Sequence, residues 1–179
     1  SHDLVVYDEE ADLVVANNVF NHANNPVDFA LGVKNILKDN GTFVFQVPYW
    51  FNTVKDGKFD QIYHEHPSYF TVKSACNILQ LAGLKVFDVE WVDYHGGSIR
   101  VYASMDNRDR SDEVLRFISD EESARLFDPE YYESFMKNIR LKRDTFLHEI
   151  YRLRSEGLPI VAVGAAAKGN TFLNYYNLD

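Results

Sequence analysis

A doubly wound α/β fold follows from three features of this 179-residue chain. Apolar, strand-like runs alternate with helix-period segments, Gly and Pro signals separate them, and the alternation ends in a hairpin. DLVVA at 12–16 is apolar after an acidic start, the pattern of a buried parallel strand. Asn17 to His22 reads as a polar loop. Pro26 opens a helix to about Leu37, its apolar face formed by Val27, Ala30, Leu31, Val33 and Leu37. Asn40-Gly41 is read as the stop, and TFVFQV at 42–47 as the next strand, ended by Pro48. A long aromatic loop rich in His and Glu occupies 49–68. A helix from about 71 to 82 ends at Gly83, and 84–92 is a strand. Tyr94-His95-Gly96-Gly97 then turns the chain into SIRVYA at 98–103.

Beyond residue 105 the composition changes. A charged turn at 106–110 leads into amphipathic helix from 111 to about 119 and again from about 129 to 156, where Gly157 and Pro159 stop it. Residues 160–163 read as a last strand, followed by Gly164 to Thr171 and the opening of a helix. The expected division is 1–105 as the second half of one α/β domain, 106–157 as a helical connection, and 158–179 as the start of another. DLVV at 3–6 and 12–15 is too short to be a structural repeat. The strand order lacks the first units of a doubly wound sheet, so the chain is expected to be a piece of a longer protein.

Composition narrows the function. A net charge of -9 provides no basic excess to displace counterions from nucleic acid. No run approaches the roughly 20 apolar residues of a membrane span. One cysteine, Cys76, excludes an intrachain disulfide and a Cys-rich zinc site within these residues. A soluble, cytoplasmic protein is the expectation.

The densest polar cluster is Asp60 to Phe70, with Tyr63, His64, Glu65 and His66 at its centre. It follows a strand, and ligands of open α/β sheets bind at the carboxyl-end rim. A histidine there can take a proton, and a tyrosine hydroxyl can donate to a developing oxyanion. His64 and His66 could instead ligate a metal with Glu65, although the pair lacks the ligand set of a catalytic zinc. His22, after the preceding strand, is expected at the same rim. Gly96-Gly97-Ser98-Ile99-Arg100 permits close approach of a ligand, and Ser98 and Arg100 share one face of their strand. An outward-facing hairpin is the alternative. Gly164 to Thr171, with Lys168, matches neither standard phosphate loop, yet a glycine-bounded turn into a helix offers N–H groups to an anion. Strand-to-helix packing is the plainer reading of it.

Taken in order, five segments resemble the sugar C-methyltransferases that use S-adenosylmethionine on nucleotide-linked keto-deoxysugars. They are ADLVVANNV at 11–19 with His22, QVPY at 46–49, FDQIYHEH at 59–66 with Tyr69-Phe70, GGSIR at 96–100, and GAAAKGNT at 164–171. The resemblance implies the C-terminal half of a class I, Rossmann-like methyltransferase domain, a helical segment, and the start of a second Rossmann-like domain. A zinc-binding domain would precede these parts, so zinc is expected only outside this chain. By the same resemblance His66 is the base that removes a proton beside a 4-keto group. Tyr63 and His22 would stabilise the enolate oxygen or orient the sugar, and Glu65 would position the base. Asn18 is assigned to the S-adenosylmethionine side; Ser98, Arg100 and Lys168 are assigned to the nucleotide-sugar substrate. A non-catalytic nucleotide-sugar-binding module and a methyltransferase for another acceptor remain alternatives. The lack of a complete dinucleotide fingerprint discourages a dehydrogenase.

Overall fold

The computed structural model describes residues 10–178, so the first DLVV, at 3–6, lies outside the described residues. Four strands form one mixed sheet: β1 (Ala11–Asn17), β2 (Leu37–Pro48), β3 (Lys85–Val92) and β4 (Ser98–Ser104), in the order β1-β2-β4-β3. β1 and β2 are parallel, joined through α1 (Pro26–Ile36), while β2–β4 and β4–β3 are antiparallel. This is the predicted α/β class, with its parallel unit followed by a hairpin.

The register explains which residues are buried. Val14 and Ala16 lie beside Phe43 and Phe45, which lie beside Ala103 and Val101. With a side-chain period of two, these share one face. That face carries the core, under α1, α3 (Val72–Leu81) and α4 (Asp112–Ser123). Phe20, Phe43, Phe45 and Phe70 are essentially fully buried there. The Phe20 ring lies 4.7 Å from that of Phe45 and 5.0 Å from that of Phe70. Caps set the helix starts: Asn25 accepts from the Asp28 amide, and Thr71 forms a reciprocal capping box with Ser74.

The opposite face departs from expectation. β1 was predicted buried on both sides, yet Leu13 and Val15 are 57% and 54% exposed. Among the described residues no helix lies over them, and β1 pairs on one edge only.

Three boundaries also differ. β2 begins at Leu37, so Asn40-Gly41 is not a stop but part of an irregularity in the strand. Five residues of β2, from Leu37 to Thr42, advance against two of β1, from Ala11 to Leu13. Gly41 is required there, since a Cβ would come within 2.8 Å of the Leu37 side chain and 2.9 Å of the Ala11 carbonyl. The 49–68 loop contains α2 (Trp50–Asp56) and a 3-10 turn, Phe59–Gln61. Val54 of α2 packs on Phe135 and Ile139 of α5 (Pro129–Ser155), which makes this segment helical. Residues 160–163 are not a strand. They find no pairing partner among the described residues, and Val161 and Val163 are 78% and 96% exposed. The helix expected after them is α6 (Ala167–Tyr176).

Candidate active site

At the carboxyl end of β1 and β2, three connections and the start of α6 surround a cleft of about 180 Å³. The core holds each connection in place. Phe20, buried between Phe45 and Phe70, anchors the 3-10 turn Phe20–His22 and delivers Asn21 and His22 to the rim. Asn18, at φ +53°, turns the chain out of β1 and ties back through its N–H to the Gln46 carbonyl at 2.8 Å. Asparagine tolerates that left-handed conformation better than most residues.

The segment carrying Gln61, Tyr63, Glu65 and His66 is closed at its base. Tyr49 pairs with Phe70, and the Trp50 N–H donates to the Phe70 carbonyl at 2.9 Å. Below that closure lies Glu121 of α4, with no solvent exposure. Its carboxylate accepts from the Tyr49 hydroxyl at 3.0 Å and from the Val72 and Lys73 amides at 2.6 and 3.1 Å. Burial pushes the carboxyl upward, and these hydrogen bonds pull the other way. Burial, then the neighbouring Glu121 charge, raises the Tyr49 phenol far above its ordinary value. One buried carboxylate thus joins both ends of the loop to the start of α3.

Within the cleft, His66 is 9% exposed. Its Nδ1 lies 3.2 Å from the Gln61 carbonyl, which can only accept, so Nδ1 carries the proton. That leaves the Nε2 lone pair to receive the Tyr63 hydroxyl at 3.2 Å. Burial lowers the imidazole below its ordinary value of 6.5. The Gln61 bond and Glu65 oppose that shift, and His22 and Lys168 add to it. A group so placed is neutral at neutral pH and has the protonation state of a base. Burial, then the Glu65 charge, raises the Tyr63 phenol, keeping it a hydrogen-bond donor. His22 stands 5.0 Å from His66, ring to ring, and its Nδ1 is 2.5 Å from the Glu65 carbonyl.

The cleft therefore brings together His66, Tyr63, Glu65, His22, Asn18 and Lys168. The His66 tautomer, however, is set by the Gln61 carbonyl and not by Glu65. Ser98 and Arg100 do not line the cleft. Ser98 is fully buried with its hydroxyl donating to the Tyr94 carbonyl, which pins the hairpin turn. Arg100 lies on the uncovered sheet face, donating to Glu90 at 2.7 Å and to the Gln46 side chain at 2.9 Å. Its cross-strand neighbours satisfy the guanidinium where alternation alone suggested a free one. Three polar lining residues were not among the predicted site residues: Asn21, Gln61 and His95. The amides carry no titration signal. His95 could have been found, since its turn leads into the strand antiparallel to β2, whose start lies beside the end of β2 at the same rim.

Among the described residues, no group of three His, Cys, Asp or Glu side chains could hold a metal ion, and no helix is long and apolar enough to cross a membrane. Comparison with known proteins divides the chain in two. Residues 1–89 match the family described as a methyltransferase domain, and residues 93–179 match the C-methyltransferase C-terminal domain. The C-methyltransferase NovU of Streptomyces niveus is 31% identical over 165 residues, 91% of this chain and 39% of NovU. The chain thus spans about two-fifths of that relative. Among solved structures, a chain of the Haloferax volcanii complex containing the Trm112 methyltransferase activator gives a TM-score of 0.49 at 18% identity, over 61% of this chain and 60% of the other. An S-adenosylmethionine-dependent methyltransferase from Clostridium acetobutylicum gives 0.44 at 12% identity, over 59% and 63%. Its two halves thus match a methyltransferase domain and a C-methyltransferase C-terminal domain, and most of its length is similar to the C-methyltransferase NovU.

Proposed function

We propose that this chain carries the acceptor side of an S-adenosylmethionine-dependent C-methyltransferase acting on a nucleoside-diphosphate-linked 4-keto-deoxysugar. The observation that carries the reading is the relay Gln61 carbonyl, His66, Tyr63 hydroxyl in a cleft at the sheet rim. A proton on carbon beside a ketone is only weakly acidic. Its removal needs a base at the carbon and a donor at the oxygen. His66 Nε2 is the base. A keto oxygen in the cleft draws the Tyr63 O–H away from Nε2, which frees the imidazole lone pair for the proton. The same O–H then meets the oxygen on which charge develops. His22, with Nδ1 committed to the Glu65 carbonyl, orients the sugar through Nε2, and Glu65 keeps Tyr63 protonated.

Asn18 fits the S-adenosylmethionine side. Its side-chain oxygen is buried and has no hydrogen-bond partner, so it suits a group rich in N–H and O–H donors. When bound, S-adenosylmethionine supplies an electrophilic methyl group for the carbon that has lost its proton. The domain division at about 105 and 157 and a cytoplasmic setting belong to the same proposal. The latter draws support from the single, buried, unpaired Cys76.

The test is methyl transfer by the full protein from a labelled donor to a panel of nucleotide-linked keto sugars. Label on carbon beside the ketone is expected, with loss on His66→Gln. Label on oxygen, or unchanged turnover in the variant, overturns the reading.

A further inference from the structure

The free lone pair on His66 Nε2 depends on where one backbone carbonyl sits. Gln61 accepts from Nδ1 at 3.2 Å, and Gln61 is the last residue of the 3-10 turn Phe59–Gln61. Such a turn is a weak support by itself, because its hydrogen-bond geometry is poorer than that of an α-helix. Here it is held by two backbone bonds, Gln61 N–H to the Lys58 carbonyl at 3.2 Å and Ile62 N–H to the Phe59 carbonyl at 2.9 Å. No side chain caps it. Its stiffness must come from packing, and the side chain that packs is Phe59.

Phe59 sits against the small apolar cluster of Val54, Phe135 and Ile139. It also meets three rings from the second half of α6: Tyr175 at 4.8 Å, Tyr176 at 5.9 Å and Phe172 at 6.4 Å, centre to centre. These separations lie in the range where aromatic pairs attract beyond the area they bury. α5 secures the rings in turn, since Phe146 lies 5.4 Å from Phe172 and 5.0 Å from Tyr176. The Arg143 guanidinium stands over the Tyr175 ring at 5.5 Å. Among the described residues, the 3-10 turn is the element on which α6 packs most closely. The Tyr175 hydroxyl is buried without a hydrogen-bond partner, so its ring is what that residue contributes.

We propose that Phe59 and Tyr175 are positioning residues for the base: their aromatic clasp fixes the 3-10 turn, the turn fixes the Gln61 carbonyl, and that carbonyl keeps the His66 proton on Nδ1. None of the clasp rings lines the cleft. With the carbonyl displaced, the imidazole is free to carry its proton on Nε2 and donate it to the Tyr63 oxygen. A ring in that tautomer has no lone pair facing the carbon acid. The turn lies in the part of the chain that matches a methyltransferase domain, and α6 in the part that matches the C-methyltransferase C-terminal domain. The clasp therefore ties the readiness of the base to the docking of one part on the other. The inference rests on the function proposed above for the role of His66 as base, while the tautomer itself is a property of the protein without substrate.

The test uses the full protein with isotopically labelled histidine and no substrate. Nitrogen NMR at neutral pH reads which ring nitrogen of His66 carries the proton, with His66→Gln identifying its signals. Wild type is expected to hold the proton on Nδ1. Phe59→Ala and Tyr175→Ala are expected to place a substantial share on Nε2, and Phe59→Leu carries the same expectation should Phe59→Ala not fold. Phe59→Tyr and Tyr175→Phe, which keep the rings, are expected to restore the wild-type pattern. Val86→Ala removes core from the opposite end of the sheet and is expected to lower the melting temperature without moving the tautomer. In turnover of a nucleotide-linked keto sugar, the folded Phe59 variant is expected to lose kcat by up to about 100-fold with KM little changed. An unmoved tautomer in the folded Phe59 and Tyr175 variants, or an equal movement in Val86→Ala, overturns the clasp. Methyl transfer to carbon with the tautomer unmoved removes the clasp and leaves the proposed function standing. A tautomer that depends on Phe59 and Tyr175, without methyl transfer by wild type to any keto sugar, upholds the clasp and removes that function.

Discussion

His66 is the least exposed imidazole of the cleft, and burial decides its chemistry. Its proton affinity lies below the ordinary 6.5, so it stays neutral at neutral pH and gains a proton only in more acid solution. The sign follows directly: kcat/KM, which reports the free enzyme, should be flat through neutrality and fall in acid, with its midpoint below 6.5. The groups facing the ring are Tyr63, the Gln61 carbonyl, Glu65, His22 and Lys168. Removing the Lys168 charge should move the midpoint upward, measurable as a shifted acid limb in Lys168→Ala. His66→Gln should lower kcat by about 10² to 10⁴, the usual range for losing a general base. Tyr63→Phe should also lose kcat, because the oxyanion donor goes while the ring remains. The sequence showed His22, Tyr63 and His66 as candidates because titratable types clustered after strands, and Lys168 because it sits in a glycine-bounded turn opening a helix. It misplaced Ser98 and Arg100 because alternation gives a face but not the partners, here the Tyr94 carbonyl, Glu90 and Gln46. It passed over Asn21 and Gln61 because their role comes from burial, which no local pattern encodes.

Among the elements, α4 has a part that its distance from the cleft conceals. Glu121 closes the loop bearing Gln61, Tyr63 and His66 by receiving the Tyr49 hydroxyl and two amides at the start of α3. Glu121→Leu would leave two buried donors and one half-buried donor unpaired and should cost on the order of 3 kcal/mol in denaturant unfolding. Glu121→Gln, which keeps an acceptor, should cost less. Gly97 adopts φ +108°, and a Cβ there would collide with Asn52 of α2. Gly97→Ala should therefore destabilise the turn that presents His95, read as a lower melting temperature. Strand and helix existence was legible because α1, α3 and the hairpin strands carry clear periodicity and end signals. The helix α2 was not, since it forms by packing Val54 on α5. Residues 160–163 misled for the converse reason: they have strand composition, but pairing needs a neighbouring edge.

At the scale of the whole molecule, the sheet is asymmetric. One face is closed by α1, α3 and α4, while the other displays Leu13, Val15, Arg100 and Tyr102, and the cleft opens at the end where β1 and β2 finish. Proton abstraction at that end needs neither the methyl donor nor completed transfer, so it can be observed alone. The full protein, incubated in D₂O with a nucleotide-linked 4-keto sugar and no S-adenosylmethionine, should exchange the hydrogen on the carbon beside the ketone, as followed by NMR. His66→Gln should abolish that exchange while still binding the nucleoside diphosphate. Exchange at the wild-type rate in His66→Gln would contradict the assignment of His66 as the base.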